Sequence, residues 1–400
     1  MDLNNLPSDP IVVVGGGFGG LATVQALLAQ SDGTPIILID QSPRFLFKPF
    51  LYELLSGELQ LWEVAPQYSA LASELGFIFL QDYVVEVNEL ERKIITISET
   101  ELTYAQLVIS TGVITDFSLV EDLKKYAYGF SNLNDLLRIK KFITKINNSS
   151  ESMNPLVIIG AGPTGVELAC KISDLINDRV EIYLVDKGDK ILSKSKSFNR
   201  EKAISAISKR SIKLFLKHSI ESVNETFLEL STFDNQIKQP LRINYSNLIW
   251  TGGLKASSLN LLDKLLGENK KIQVNEFLQI NKYKNIFFVG DITCCEIDPF
   301  PSSAQVAMQQ GFVTAYNIIS LRKSKTLKPF EFEDLGEMLS LGIGNASITG
   351  YGITLSGSLA FEIRRLAYLI RIPGFSSSLK SGASWLLSKK IINRLVSKYS

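Results

Sequence analysis

Length, composition and charge exclude several classes of protein. The chain has 400 residues, of which 45% are hydrophobic, enough to fill the cores of two or three domains and too many for a disordered chain. Lys and Arg number 42 and Asp and Glu 41, so the net charge of +1 gives no general attraction for nucleic acid. The single histidine, His218, argues against zinc sites and Ser-His-Asp hydrolysis, and we expect no metal site.

A first dinucleotide-binding pattern lies near the N-terminus. Strand, glycine turn, helix and strand follow one another as Ile11–Val14, Gly15–Gly20, Leu21–Gln30 and Ile36–Asp40. Gly15, Gly17 and Gly20 form G-x-G-x-x-G, which lets a pyrophosphate approach the backbone at a helix N-terminus. Asp40 ends the second strand, where a carboxylate can bond a ribose hydroxyl.

The same order of elements occurs a second time. Its parts are Leu156–Ile159, Gly160–Gly165, Val166–Ile176 and Val180–Val185. Gly160, Gly162 and Gly165 form the second G-x-G-x-x-G, and Asp186 follows the second strand. Two dinucleotides are therefore expected.

Other segments indicate how the two patterns are connected. The polar stretch Asn147–Ser152 is typical of a surface connection before the second pattern. Leu107–Gly112 and Ile286–Asp291 read as buried strands that end in small or acidic residues. Each could also be an ordinary strand end.

Together these elements resemble the two-dinucleotide-binding-domain flavoproteins, which implies an α/β fold with two Rossmann-like domains. The resemblance assigns 1–115 and 253–330 to an FAD-binding domain and 116–252 to an inserted NAD(P)H-binding domain. It assigns 331–400 to a C-terminal region that contributes to the quinone site and associates with a membrane through an amphipathic segment.

The resemblance also assigns residues to the two cofactors. Those expected at FAD are Gly15, Gly17, Gly20, Asp40, Thr111, Gly112 and Asp291. Those expected at NAD(P)H are Gly160, Gly162, Gly165 and Asp186.

The electron acceptor separates the branches of these flavoproteins. Disulfide reductases need paired cysteines against the flavin, and Cys170, Cys294 and Cys295 lack the required spacing. The chain instead resembles the type II NAD(P)H:quinone oxidoreductases, through Phe47–Glu53 and Ala304–Gly311. It is most similar to their cyanobacterial and plastid branch that reduces demethylphylloquinone, through Tyr52–Glu58, Trp62–Pro66, Leu335–Gly342 and Arg365–Pro373.

This resemblance implies an FAD-dependent, non-proton-pumping enzyme that passes two electrons from NAD(P)H to a membrane quinone. Demethylphylloquinone is the expected substrate, with plastoquinone as its competitor. Two other hypotheses remain open: a reductase of a soluble redox protein, and a flavin-bound redox sensor without a fast acceptor.

Three further residues are expected near the reacting groups. By the resemblance, Glu167 bonds the nicotinamide and relays protons; alternatively it only stabilises the first turn of its helix. Gln305 would donate to a quinone carbonyl, unless it faces solvent at a helix start. Lys48 would stabilise the reduced flavin, or is an exposed loop lysine. Met308 stands where some type II enzymes have a histidine, and it offers an apolar wall instead.

Coenzyme choice depends on Asp186. Its carboxylate should bond the free 2′-hydroxyl of NADH and repel the 2′-phosphate of NADPH. Relatives in the demethylphylloquinone branch are associated with NADPH, and Lys187 and Lys190 could pair with a phosphate. The residues themselves favour NADH slightly.

The chain ends in a basic segment. No Asp or Glu occurs in 363–400, whose basic residues are Arg364, Arg365, Arg371, Lys380, Lys389, Lys390, Arg394 and Lys398. Apolar residues at helical spacing accompany them: Trp385, Leu386, Ile391, Ile392, Leu395 and Val396. The pattern predicts a helix in a membrane interface, or one docked on the protein's own core or on a homodimer partner.

The resemblance favours the membrane interface, because type II enzymes associate with one membrane face through C-terminal amphipathic helices. The association is expected to be peripheral, because no run of about 18 apolar residues occurs. The expected location is the cytoplasmic or stromal face of a thylakoid or plasma membrane.

Overall fold

The structure, a computed structural model, describes residues 7–30, 33–232, 240–257, 271–295 and 300–374. Its helices are α1 (Phe18–Ala29), α2 (Leu51–Ser56), α3 (Leu61–Val64), α4 (Tyr68–Leu75), α5 (Leu123–Tyr126), α6 (Leu133–Asn148), α7 (Pro163–Ile176), α8 (Ser197–Ile207), α9 (Ala304–Arg322) and α10 (Ser358–Leu369). Two short 3₁₀ helices cover Lys48–Phe50 and Phe117–Leu119.

The strands of the first half are β1 (Ile11–Val14), β2 (Ile36–Asp40), β3 (Ile78–Gln81), β4 (Val84–Asn88), β5 (Lys93–Thr96), β6 (Glu101–Thr103), β7 (Gln106–Ile109), β8 (Val113–Thr115), β9 (Ala127–Tyr128), β10 (Leu156–Ile159) and β11 (Ile182–Asp186). Those of the second half are β12 (Ile212–Leu216), β13 (His218–Val223), β14 (Phe227–Thr232), β15 (Leu241–Asn244), β16 (Asn247–Trp250), β17 (Leu254–Ala256), β18 (Ile272–Gln273), β19 (Ile286–Phe288), β20 (Thr293–Cys294), β21 (Glu337–Ser340), β22 (Ala346–Gly350) and β23 (Ile353–Gly357).

The chain divides into two compact units, each built from separate segments. The first unit consists of Met1–Leu46, Ala65–Ile114 and Leu254–Glu333. The second consists of Phe47–Val64, Thr115–Gly253 and Asp334–Ser400. Phe47–Val64 thus groups with the second unit, although it lies within the predicted FAD-binding range. The assignment of cofactors to the predicted domain ranges stays a prediction.

The first unit is organised by a parallel five-stranded sheet in the order β19-β7-β1-β2-β3. All four residues of β1 are buried, as expected for a central parallel strand covered on both faces. In register, Val13 of β1 pairs with Leu38 of β2 and Val108 of β7. The glycine turn after β1 therefore opens at the carboxyl edge of the sheet, where such folds bind ligands.

Helices α1 and α9 of this unit pack at close range because glycine stands at the contact. A Cβ on Gly311 of α9 would lie 2.6 Å from the Gly19 carbonyl oxygen and 3.0 Å from the Cβ of Ala22. Any larger residue would force the helices apart. Val306 of α9 also joins the core formed by β1, β2, β7 and β19.

The second unit contains another parallel five-stranded sheet, in the order β12-β11-β10-β16-β9. Its β10 lies between β11 and β16, with Ile158 opposite Leu184 and Ile249. This strand is also fully buried, and the glycine turn that follows it occupies the same edge position as in the first unit.

Most predicted elements are present, with shifts at their ends. β1, β2 and β10 begin and end where the sequence predicts them. Helices α1 and α7 begin earlier than predicted because Gly17 and Gly162 inside the glycine turns are already their N-caps. The predicted surface connection is partly wrong, since Asn147 and Asn148 form the last residues of α6.

The C-terminal described segment of the second unit forms an antiparallel sheet, β21-β22-β23, followed by α10. Arg210 fixes this sheet: its Nε and Nη2 contact the Asp174 carboxylate at 2.7 and 3.0 Å, and Nη2 donates to the Leu341 carbonyl at 3.1 Å. Asp174 also accepts the Ile343 backbone N–H at 2.8 Å. The predicted interfacial helix beyond residue 374 lies outside the described residues. Within the described ranges, no helix is both long and apolar enough to cross a membrane.

Arg210→Met should lower the free energy of unfolding by about 2 kcal/mol, because the half-buried guanidinium makes the hydrogen bonds to Asp174 and Leu341, and they are lost together. Thermal or urea denaturation measures the change. The matched control is Lys213→Met, which removes the exposed Lys213–Glu181 ion pair and should cost under about 1 kcal/mol. Equal losses in the two variants would contradict a fixing role for Arg210.

Candidate active site and cofactor-binding loops

The glycine turn of the first unit is shaped by backbone contacts that exclude any side chain. Gly15 has a φ of +96°, and a Cβ there would lie 2.5 Å from the Ser110 carbonyl oxygen. A Cβ on Gly20 would lie 1.9 Å from the Gly15 carbonyl oxygen. At Gly17, in contrast, no described atom lies within 4 Å of the Cβ position. This glycine faces open space at the N-terminus of α1.

Two side chains hold this turn in place. Asp40 accepts the Gly16 backbone N–H on Oδ2 and the Ser42 backbone N–H on Oδ1, each at 2.7 Å. Burial raises the pKa of Asp40, and these two N–H bonds oppose the rise. The Tyr68 hydroxyl donates to the Gly16 carbonyl at 2.7 Å. Sequence reasoning missed Tyr68, because a contact between residues so far apart in the chain leaves no local pattern.

The turn of the second unit has the same construction. A Cβ on Gly165 would lie 1.8 Å from the Gly160 carbonyl oxygen, whereas Gly162 again has no described atom within 4 Å. Asp186 accepts the Ala161 backbone N–H on Oδ2 and the Gly188 backbone N–H on Oδ1, each at 2.7 Å. In each turn, the first and last glycines of the motif lie against backbone or side-chain atoms (the packing glycines), and the middle glycine faces open space (the open glycine). The carboxylate at the end of the second strand accepts a backbone N–H of the turn.

These turns fit a dinucleotide pyrophosphate. The open faces of Gly17 and Gly162 provide room beside a helix N-terminus, where unpaired N–H groups attract a phosphate. In the first unit, the buried Thr111 hydroxyl has no hydrogen-bond partner among the described residues, and Gly112 follows it with a φ of +65°. A bound group with a polar edge would complete the hydrogen bonding of Thr111.

Asp291 is placed by a residue that the sequence did not single out. The buried Gln310 of α9 accepts the Gly290 backbone N–H on Oε1 at 2.7 Å, and Thr293 donates its hydroxyl to the Gly290 carbonyl at 2.8 Å. The chain therefore turns at Gly290 just before Asp291. Gln310 belongs to the Ala304–Gly311 motif, and this motif is the sequence signal that could have pointed to it.

Glu167 lies in a buried cluster of the second unit. It sits on α7 and is 6% exposed. Its Oε1 accepts the Ser340 backbone N–H at 2.7 Å, and the Tyr52 hydroxyl hydrogen-bonds to the same carboxyl group. Burial raises the pKa of Glu167 to about 7, although Arg364 and the Ser340 N–H act in the opposite direction. Glu167 is the fifth residue of α7, whose first turn contains no acidic residue, so the alternative of a carboxylate that only stabilises that turn is wrong.

Arg364 on α10 is the cation of this cluster. It is 1% exposed, and its Nη1 contacts Glu53 Oε1 at 2.6 Å. Its Nη2 donates to the Pro49 carbonyl at 2.8 Å and lies 3.8 Å from Glu167 Oε1. Arg364 is one of the basic residues counted in the C-terminal segment, and its charge is buried and paired within the protein.

A second buried ion pair lies beside this cluster. Lys171, one turn after Glu167 on α7, is fully buried and contacts Glu58 Oε2 at 2.6 Å. Burial also raises the pKa of Cys170 to about 12, so this thiol stays protonated at neutral pH.

The other predicted site residues occupy the following places. Gln305 is half-buried in the first turn of α9, with Ser303 as the N-cap. Lys48 is exposed in the second unit, at the start of the 3₁₀ helix. Met308 is half-buried on α9.

His218 Nδ1 lies 2.6 Å from the Leu216 carbonyl oxygen. Within the described part of the chain, no group of three potential ligands could hold a metal ion.

The second unit also has an apolar surface on α10. Leu359, Ile363, Leu366 and Ile370 recur at helical spacing at its outer side and are between 42% and 75% exposed. Leu366 also borders a small pocket, whose other lining residues are Phe50, Leu59, Glu63, Arg365, Leu369 and Ile372. The helix therefore exposes apolar residues both to the surroundings and to a neighbouring pocket.

Comparison with known proteins identifies the family. The family model for pyridine nucleotide-disulphide oxidoreductases matches residues 9–311. A demethylphylloquinone reductase of Synechocystis sp. is 34% identical, over 94% of this chain and 95% of the relative. The chain belongs to the pyridine nucleotide-disulphide oxidoreductases, among the type II NAD(P)H:quinone oxidoreductases.

Other comparisons agree with this family. The alternative NAD(P)H-ubiquinone oxidoreductase C1 of Arabidopsis thaliana is 31% identical, over 95% of this chain and 81% of the relative. The structure of NDH2 from Plasmodium falciparum in complex with NADH superimposes with a TM-score of 0.83 at 18% identity, covering 95% of this chain and 98% of that one. The fold of the type II NAD(P)H:quinone oxidoreductases is thus present along nearly the whole chain, and FAD and NAD(P)H are the cofactors.

Gly17→Ala should fold normally but retain much less FAD, because the added methyl group occupies the open space at the N-terminus of α1. Gly20→Ala should lose both flavin and stability, since its Cβ would collide with the Gly15 carbonyl. The flavin-to-protein absorbance ratio and circular dichroism separate the two outcomes. Full flavin content in Gly17→Ala would contradict the placement of the pyrophosphate at this turn.

Proposed function

We propose that this protein is a peripheral-membrane oxidoreductase that reduces a prenylated naphthoquinone of the demethylphylloquinone type with electrons from NAD(P)H. The observation that carries the proposal is the presence, in one chain, of two glycine turns with open faces, each backed by a strand-end carboxylate. The choice of quinone rests on the similarity to the Synechocystis enzyme, with plastoquinone as the competitor.

The residues at the two turns would divide the cofactors between them. FAD would be held by Gly15, Gly17, Gly20, Asp40, Thr111, Gly112 and Asp291. NAD(P)H would be held by Gly160, Gly162, Gly165 and Asp186. When bound, the flavin accepts a hydride from the nicotinamide and returns two electrons to the quinone.

The protein's own contribution to chemistry is proton handling. The net reaction, NAD(P)H + H⁺ + quinone → NAD(P)⁺ + quinol, takes up one proton beyond the hydride. Glu167 can hold that proton at neutral pH, because its pKa lies near 7. Gln305 would donate an amide hydrogen bond to a quinone carbonyl, and Lys48 would place a positive charge near the reduced flavin.

The coenzyme would be NADH in preference to NADPH. Both oxygens of Asp186 already accept backbone N–H bonds, which holds the carboxylate at the strand end with capacity for one more hydroxyl donor. A 2′-phosphate at this position would meet a negative charge. Lys187 and Lys190 are the residues that could reverse this preference.

Contact with a membrane surface would involve α10. Its exposed apolar residues would enter the headgroup region. The basic C-terminal residues would supply attraction to anionic lipids. The membrane would be a thylakoid or plasma membrane, contacted from its cytoplasmic or stromal face.

Anaerobic stopped-flow spectroscopy tests this function directly. NADH should bleach the flavin absorption band faster than NADPH at equal concentration, and a short-chain naphthoquinone should then restore it rapidly. Restoration by the naphthoquinone should be faster than by a plastoquinone analogue. Bleaching without restoration by either quinone would overturn the proposal in favour of a protein acceptor or a redox sensor, and a faster reaction with NADPH would refute the role of Asp186.

The membrane contact has its own test. Ile363→Glu should reduce co-sedimentation with anionic phospholipid vesicles several-fold, because a charge replaces an apolar side chain at the interface. Leu137→Glu is the matched control: Leu137 is an exposed leucine on α6 of the same unit, and its replacement should leave vesicle binding unchanged. Equal binding by wild type and Ile363→Glu would argue against α10 as the contact.

A further inference from the structure

The buried cluster around Glu167 contains more negative than positive charge. Glu53 and Glu167 are two carboxyl groups, and Arg364 is the cation that contacts both. Lys171 and Glu58, the neighbouring ion pair, balance each other at 2.6 Å. With both carboxyl groups ionised, the cluster would hold an excess charge of −1 away from water, which is costly unless a proton is bound.

The geometry distinguishes the two carboxyl groups. Arg364 Nη1 contacts Glu53 Oε1 at 2.6 Å, and Arg364 Nη2 donates to the Pro49 carbonyl. The distance from Nη2 to Glu167 Oε1 is longer, at 3.8 Å. The close partners of Glu167 are neutral, namely the Ser340 N–H and the Tyr52 hydroxyl. A neutral carboxyl group keeps both of these bonds, because its oxygens still accept them. The proton is therefore held most easily at Glu167.

The other groups around Glu167 do not change this balance. Tyr368, on the same helix as Arg364, is half-buried with a raised pKa, and its ring lies 4.9 Å from the Arg364 guanidinium. Tyr52 and Cys170 also have pKa values raised by burial, so each is neutral near pH 7. The charged groups facing Glu167 are thus Arg364 and Glu53, with the Lys171–Glu58 pair one turn away. Arg365 also interacts with Glu53 and Glu58, but its stronger carboxylate partners are Glu362 and Glu63.

We propose that Glu53 and Arg364 are positioning residues: their ion pair commits the guanidinium to Glu53 and so leaves Glu167 as the carboxyl group that binds and releases a proton during turnover. The inference deepens the proposed function, since it explains how the protein sets the proton affinity of its relay residue. In each cycle Glu167 gives its proton towards the quinone oxygens and is reprotonated from solvent, which supplies the one H⁺ of the net reaction.

Glu53→Gln is the decisive variant. Without the Glu53 charge, Arg364 would turn to Glu167 as its carboxylate partner, and the ionised form of Glu167 would be stabilised. The midpoint at which Glu167 titrates should then move to lower pH by about one unit or more. Glutamine has the shape of glutamate and leaves no cation without a partner, so the fold should be retained.

Infrared spectroscopy gives a readout that does not depend on quinone turnover. The band of a protonated carboxyl group should disappear with a midpoint near pH 7 in wild type, be missing in Glu167→Gln, and titrate at lower pH in Glu53→Gln. The pH profile of quinone reduction should shift in the same direction. Glu53→Asp, which restores the charge, should return both midpoints towards those of wild type.

Glu58→Gln is the matched control, because it removes a carboxylate from the other buried ion pair. It should lower thermal stability without moving the infrared midpoint. An unchanged midpoint in Glu53→Gln, or an equal shift in Glu58→Gln, would overturn the inference. If wild type fails to reduce quinones while the infrared midpoint still shifts in Glu53→Gln, the proposed function fails and the positioning role survives.

Discussion

The second unit depends on the burial of one guanidinium. Arg364 remains charged at any physiological pH, so its place on the buried side of α10 requires acceptors from separate parts of the chain. Glu53 and the Pro49 carbonyl come from Phe47–Val64, and Glu167 comes from α7. These contacts explain why Phe47–Val64 groups with the second unit rather than with its neighbours in sequence. The same contacts leave Glu167 without a close cation, and the proposed proton role of Glu167 rests on this feature.

The two glycine turns illustrate a different constraint, that of close approach. In both, the last glycine of the motif lies so near the first that a methyl group would collide with a carbonyl oxygen. The middle glycine remains open, and the strand-end carboxylate is fixed by backbone N–H groups. The packing glycines are therefore required by the fold, whereas the open glycine leaves room for a ligand, a division that the motif alone does not reveal.

Local patterns predicted much of the fold and part of the candidate site. The exact limits of β1, β2 and β10 could be read from short apolar runs bounded by glycine or proline. Glu167 could be singled out because it follows a recognisable motif. Tyr68 could not, since it acts through a contact with the distant Gly16 carbonyl. Gln310 lies in a recognised motif, but its contact with the Gly290 backbone N–H could not be predicted from that motif. The buried role of Arg364 could not be predicted, because its partners Glu53 and Glu167 lie far from it in the chain.

The sequence by itself determined the two strand–turn–helix patterns, the carboxylates that follow them and hence the family, because these depend on residue types at short, fixed spacing. Only the tertiary structure decided which charges are buried and which carboxyl group is short of a cation. Such properties depend on distances between segments far apart in the chain. They also depend on the exclusion of water, which no local pattern records.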